Sequence, residues 1–106
     1  MQPQDRRRSK EDAGRLIREC SLDGGIIPTR HFWRELEKEG LSIVDALIII
    51  RRGYVFDEPE PDISTGEWKY RMTGTAPEGQ IIHIVFCFNS DDEAVLITIF
   101  SDGDSH

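Results

Sequence analysis

The chain has 106 residues, 38% of them apolar and 31% charged, and a net charge of −7. That length supports one hydrophobic core and excludes two. No apolar run approaches the ~20 residues of a membrane helix, and the polar, basic stretch Met1–Lys10 lacks the apolar segment of a secretory leader, so a cytoplasmic protein with no membrane contact is expected.

The charge is uneven. Residues 1–10 hold four basic side chains against one acidic, residues 11–50 five against eight, and residues 51–106 four against eleven. An acidic body argues against sequence-independent nucleic-acid binding, which draws its affinity from phosphate neutralisation, and no DNA partner is expected. It suits a basic protein partner and leaves room for a compact basic pocket. Cys20 and Cys87 both fall in apolar patterns and read as buried free thiols. Neither has a second Cys or His at metal-ligand spacing, so no metal site and no cofactor are expected.

In chain order, residues 1–8 are polar and rich in like charge, and read as a disordered basic tail. Ser9 with Asp12 resembles a capping box, and Ala13, Leu16, Ile17 and Cys20 recur on one helical face. Gly24 and Gly25 end that helix, and Ile26 and Ile27 pack as the chain turns. Thr29 caps a second helix with Phe32, Trp33 and Leu36 inward, which stops near Gly40. Ile43 to Arg52 follows. Ala46 to Ile50 could be a strand on propensity, but the polar Ser42 before it, Gly53 after it and its length favour a buried helix.

The period then changes to two. Tyr54 to Phe56 starts a short strand, and Asp57 to Thr65 is an acidic loop without the ordered spacing of a calcium loop. From Glu67 to Thr73, Trp68, Tyr70 and Met72 face one way, and Lys69, Arg71 and Thr73 the other. Gln80 to Phe88 and Ala94 to Phe100 are apolar strands, and His83 shares a face with Ile81, Val85 and Cys87. The expected fold is α+β: about three N-terminal helices on one face of a three- to four-stranded antiparallel sheet. It forms one domain over residues 9–101, with a frayed tail at 102–106.

Thr29-Arg30-His31 at a helix start, Gly40-Leu41-Ser42 at the next junction and Ala46 through Gly53 resemble one small bacterial family, the domain of unknown function DUF4258. Gly66-Glu67-Trp68-Lys69-Tyr70-Arg71-Met72-Thr73-Gly74, the strand around His83 and the ending Leu96-Ile97-Thr98-Ile99-Phe100 continue the resemblance. Members look similar to the RelE and MqsR toxins of toxin–antitoxin pairs. The resemblance therefore implies a RelE-like fold, a metal-independent endoribonuclease that cuts mRNA, and an antitoxin partner. Glu35 and Glu39 stand where the family usually carries basic residues, which points to the alternative of an inactive or repurposed, non-catalytic protein-binding module.

Metal-independent RNA cleavage needs a base, an acid and cationic donors for the phosphorane charge. Arg71 is the first candidate for phosphate, with Lys69 beside it on the strand; the same pair also reads as an ordinary solvated strand face. His31, at a helix start where the family retains a His, and His83 are the candidate acid–base groups. A first-turn bond for His31 and a satisfied, half-buried His83 are the structural readings. Tyr70 could stack a base or sit in the core, and Thr98 matches a family position and could donate its hydroxyl.

Overall fold

A computed structural model describes residues 7–103. The expectation of a disordered tail therefore lies outside the described residues for Met1 to Arg6, and that of fraying for Asp104 to His106. Helix α1 (Lys10–Leu22) starts where the Ser9 hydroxyl accepts from Asp12 N. It buries Ala13, Gly14, Ile17 and Cys20, one stripe at helical spacing. Helix α2 (Arg30–Lys38) is capped by Thr29, whose hydroxyl accepts from Phe32 N. It closes with two bonds that satisfy its last carbonyls, Gly40 N to Glu37 O at 3.0 Å and Leu41 N to Leu36 O at 3.1 Å. Gly40 makes that closure with φ +71°, a conformation that costs a side chain energy. Helix α3 (Ile43–Arg52) opens with a full capping box between Ser42 and Asp45, which outweighs the β propensity of its isoleucines.

Six strands follow the helices or lie between them: β1 (Ile26–Pro28), β2 (Tyr54–Val55), β3 (Glu60–Pro61), β4 (Trp68–Thr75), β5 (Ile81–Ser90) and β6 (Glu93–Ser101). The sheet order is β1-β6-β5-β4-β2, with β3 pairing β4 off that path. This corrects the expected three- to four-stranded antiparallel sheet. The chain at Ile26 and Ile27 is an edge strand that runs parallel to β6. Two residues of the acidic loop, Glu60 and Pro61, also join the sheet. Both elements are too short to show a local period; the partner of β1 lies far along the chain, and that of β3 follows across a loop.

One core holds the layers together. Ala13 and Ile17 of α1, Phe32 and Leu36 of α2, and Ala46, Ile49 and Ile50 of α3 pack with Tyr70, Met72, Ile82, Ile84, Phe86, Ala94, Leu96 and Ile99. The register places these sheet residues on one face: Met72 opposite Ile84 and Ile84 opposite Ile99, Tyr70 opposite Phe86 and Phe86 opposite Leu96. A register shift between Val85 and Phe86 keeps both Leu96 and Ile99 inward. Close approach of α3 to β4 depends on two facing glycines. A Cβ on Gly74 would lie 2.9 Å from Ile49 Cγ2, and one on Gly53 would overlap the Thr73 carbonyl oxygen. Among the described residues, no helix is long and apolar enough to cross a membrane.

Candidate functional site

Because the helices cover one face of the sheet, alternation along β4 sends Lys69, Arg71 and Thr73 to the other. Arg71 pairs with Val85, and Val85 with Thr98; Thr73 pairs with His83, and His83 with Phe100. Residues directly opposite share a face, so Arg71, Thr73, His83 and Thr98 occupy two adjoining rows of one patch. Arg71 and His83 are diagonal neighbours, about 7–8 Å apart at the backbone and within reach for long side chains.

His83 is only 12% exposed and is held at both ring nitrogens. Thr73 Oγ1 lies 2.9 Å from Nδ1, and Asp102 Oδ1 lies 3.0 Å from Nε2. A carboxylate only accepts, so the pairing that satisfies all three groups has Nε2–H donating to Asp102 and the Thr73 hydroxyl donating to Nδ1. The result is a row of hydroxyl, imidazole and carboxylate, with the Phe100 ring 5.1 Å from the imidazole. Asp102 is itself fixed, its backbone N donating to Ile81 O at 2.8 Å.

The acidic loop folds back along β4. Asp57 ion-pairs with Arg71, and Asp62 with Lys69 at 2.9 Å. Asp62 also accepts from the Ser64 hydroxyl at 2.7 Å and from Ser64 N at 2.9 Å. The Ser64 hydroxyl first, then Lys69, hold its carboxyl well below the usual carboxylate range. What Asp62 adds to folding is therefore fully present above about pH 4 and fades as the pH falls below it. Arg71 and Asp57 are 44% and 61% exposed, and an ion pair that open adds at most about 1 kcal/mol. Cys87 lies on the same face as Arg71, opposite Val95, and its thiol donates to Glu67 Oε2 at 3.5 Å. Burial, with the Glu67 charge, pushes the thiol up to about 11, so it stays protonated and unreactive at neutral pH.

Of the residues singled out from sequence, Lys69, Arg71, His83 and Thr98 share the uncovered face. Tyr70 does not. It points to the helices and is buried, stacked on Phe86 with centroids 5.5 Å apart, and its hydroxyl accepts from Arg8 N at 2.9 Å. Its ring is closed to a nucleobase. His31 is exposed in the first turn of α2, and among the described residues no hydrogen bond, ion pair or ring contact joins it to Arg71 or His83. The start of its helix sits at the β6 side of the sheet, where Thr29 N donates to Leu96 O at 3.0 Å and Thr29 Oγ1 to Ile97 O at 3.2 Å. Arg7 and Arg8, grouped with the basic tail, lie against the body. Arg7 pairs with Glu58 and lies over Trp68, while Arg8 pairs with Asp91 and lies over Phe88.

Sequence reasoning placed Thr73 on the right face without seeing its bond to His83, and it missed Asp102, Asp57 and Asp62 as partners. Alternation was the signal for Thr73; the carboxylates carried none, because their pairings cross turns and loops. No three His, Cys, Asp or Glu side chains among the described residues are grouped to hold a metal ion.

Three helices on one face of a mixed six-stranded sheet, with a polar patch on the opposite face, define a two-layer α+β protein. Residues 29–101 match the family model described as Domain of unknown function (DUF4258), and the chain belongs to that family. The matched span opens at the N-cap of α2 and takes in His31, Lys69, Tyr70, Arg71, His83 and Thr98; Asp102 stands just past its end. Searches of curated proteins and of solved structures returned no match.

Proposed function

We propose that this chain is a toxin-like, metal-independent endoribonuclease, similar to the RelE and MqsR toxins and neutralised by an antitoxin. The observation that supports this reading is the meeting of Arg71, Lys69, His83 and Thr98 on one uncovered sheet face. In this reading the phosphodiester of an mRNA lies over the Arg71–Val85–Thr98 row. Arg71 donates its forked N–H groups to the non-bridging oxygens, and Lys69 meets a neighbouring phosphate. The 2′-oxygen forms a bond to phosphorus as the bond from phosphorus to the 5′-oxygen breaks. His83 takes the 2′-hydroxyl proton, once the Thr73 hydroxyl rotates off Nδ1, and returns it to the departing 5′-oxygen. Asp102 orients the imidazole and stabilises its charged form. Thr98 offers a hydroxyl at the edge of the row, and His31 is kept for contacts at the β6 side.

Removing the cation that stabilises the phosphorane has the largest predicted effect on such chemistry. Arg71→Ala is expected to slow cleavage of single-stranded RNA by at least ~100-fold and to abolish growth arrest on induced expression. Products should end in 2′,3′-cyclic phosphates. A folded wild-type protein that leaves RNA intact over wide concentration and pH ranges ends this reading.

A second reading, a non-catalytic protein-binding module, draws on the carboxylate that meets each β4 cation and on the acidic body. Under it, pull-down recovers a basic protein, and Arg71→Ala leaves that binding intact.

A further inference from the structure

Both cations of β4 are met by one short segment. Residues 57–62 leave the sheet after β2 and return to it as β3. Asp57, at one end, reaches Arg71; Asp62, at the other, reaches Lys69. Backbone bonds tie down the second end. Glu60 and Pro61 pair with Lys69 and Trp68, Asp62 N donates to Glu67 O at 2.7 Å, and Gly66 N donates to Asp62 O at 2.7 Å. Between the ends, Glu58 reaches Arg7 at 2.8 Å and Lys10 at 3.8 Å.

We infer that segment 57–62 is an internal mimic of the RNA backbone, whose Asp57 carboxylate occupies Arg71 until a polyanion displaces it. This inference rests on the reading that β4 binds RNA, and it names how that site is regulated. Two side chains on one face of a strand lie about 6.6 Å apart along it, so Lys69 and Arg71 present two separated cations, and the segment answers with two carboxylates. A carboxylate oxygen offers a guanidinium or ammonium the same acceptor that a phosphate oxygen does.

The two ends are built differently. Asp62 is gripped by Ser64 N and Oγ and by Thr65 N as well as by Lys69. Asp57 meets Arg71 alone among the described residues, in an exposed pair. Asp62 is therefore the fixed end of the cover; the chain is also held before Asp57, where Val55 pairs with Met72, so what releases at that end is the Asp57 side chain. An exposed pair is weak enough to yield to a strand that brings several phosphates at once.

The test uses the full chain and a fluorescent twelve-residue oligouridylate, titrated at several salt concentrations. Wild type is compared with Asp57→Asn, Arg71→Ala and Glu37→Gln. Glu37 is exposed on α2, in the helix layer, and its replacement removes the same unit of charge away from β4. Asp57→Asn is expected to bind about fivefold tighter than wild type, the most that a pair worth about 1 kcal/mol can release, with a salt slope steeper by about 0.7, as for one added phosphate contact on a single strand. Glu37→Gln should stay within about twofold of wild type, the size of a general charge effect. Equal affinities for Asp57→Asn and Glu37→Gln, with wild-type binding still lost in Arg71→Ala, overturn the cover while the RNA reading stands. No binding by wild type or by Asp57→Asn, even at low salt, overturns both.

Discussion

Phe86→Ala is expected to lower the unfolding free energy by about 3–5 kcal/mol. Phe86 is fully buried at the middle of the sheet, between Tyr70 on β4 and Leu96 on β6. Its ring stacks on Tyr70 at 5.5 Å and meets Phe88 edge-on at 5.5 Å. Truncation removes buried apolar surface and leaves a cavity. The strands on either side are held by ladder hydrogen bonds, so the cavity cannot collapse. Domains of this size hold about 5–15 kcal/mol in total, so the variant should unfold at a much lower urea midpoint with little change in slope. A loss below about 1.5 kcal/mol, the range of a shape-conserving swap, would contradict this packing.

Gly25→Ala should cost about 3 kcal/mol or more, for a reason unrelated to glycine's flexibility. A Cβ there would overlap the Asp92 carbonyl oxygen and lie 3.1 Å from the Asp92 carbonyl carbon. These are backbone atoms, which cannot rotate out of the way. Gly25 is also bonded on both sides, N to Cys20 O at 2.8 Å and O from Ala94 N at 2.8 Å. Relief of the clash must therefore break the joint between the end of α1 and the start of the β1–β6 pairing. The neighbouring Gly24→Ala is the control. Gly24 sits at φ +77° with nothing within 4 Å of an added Cβ, so that change should cost only the ~1–2 kcal/mol of a left-handed side chain. Chemical denaturation of both variants separates crowding from conformation, and equal losses would refute the distinction.

The helices were legible because their signals are local. Ser9, Thr29 and Ser42 each stand at an N-cap and accept from the residue three positions on. The α3 segment shows how much that counts, since its isoleucines favour a strand and its capping box makes it a helix. Of the three long strands, β5 and β6 were legible as apolar runs and β4 from period two, which also assigned Lys69 and Arg71 to one face and Tyr70 to the other.

The candidate site was only half legible. His83 read as a histidine among apolar neighbours, and the sheet face it occupies follows from the register with Thr73 and Phe100. Its partner Asp102 comes from the stretch read as a frayed tail. The loop from Asp57 to Thr65 read only as an acidic loop, because acidic side chains between prolines carry no sign of what they will meet. Its folding back onto β4 neutralises Arg71 and Lys69, and that is the fact with most bearing on function.

Interactions that span one turn of helix or two residues of strand are written in neighbouring side chains, so caps, periods and the two faces of β4 follow directly from residue order. Pairings across the sheet depend on which distant segments arrive beside one another. That depends on closing a single core around Phe86 and its neighbours, and no stretch of ten residues contains it. Hence the parallel edge strand β1, the carboxylate on each β4 cation and the Thr73–His83–Asp102 row emerged only once the chain had closed on itself.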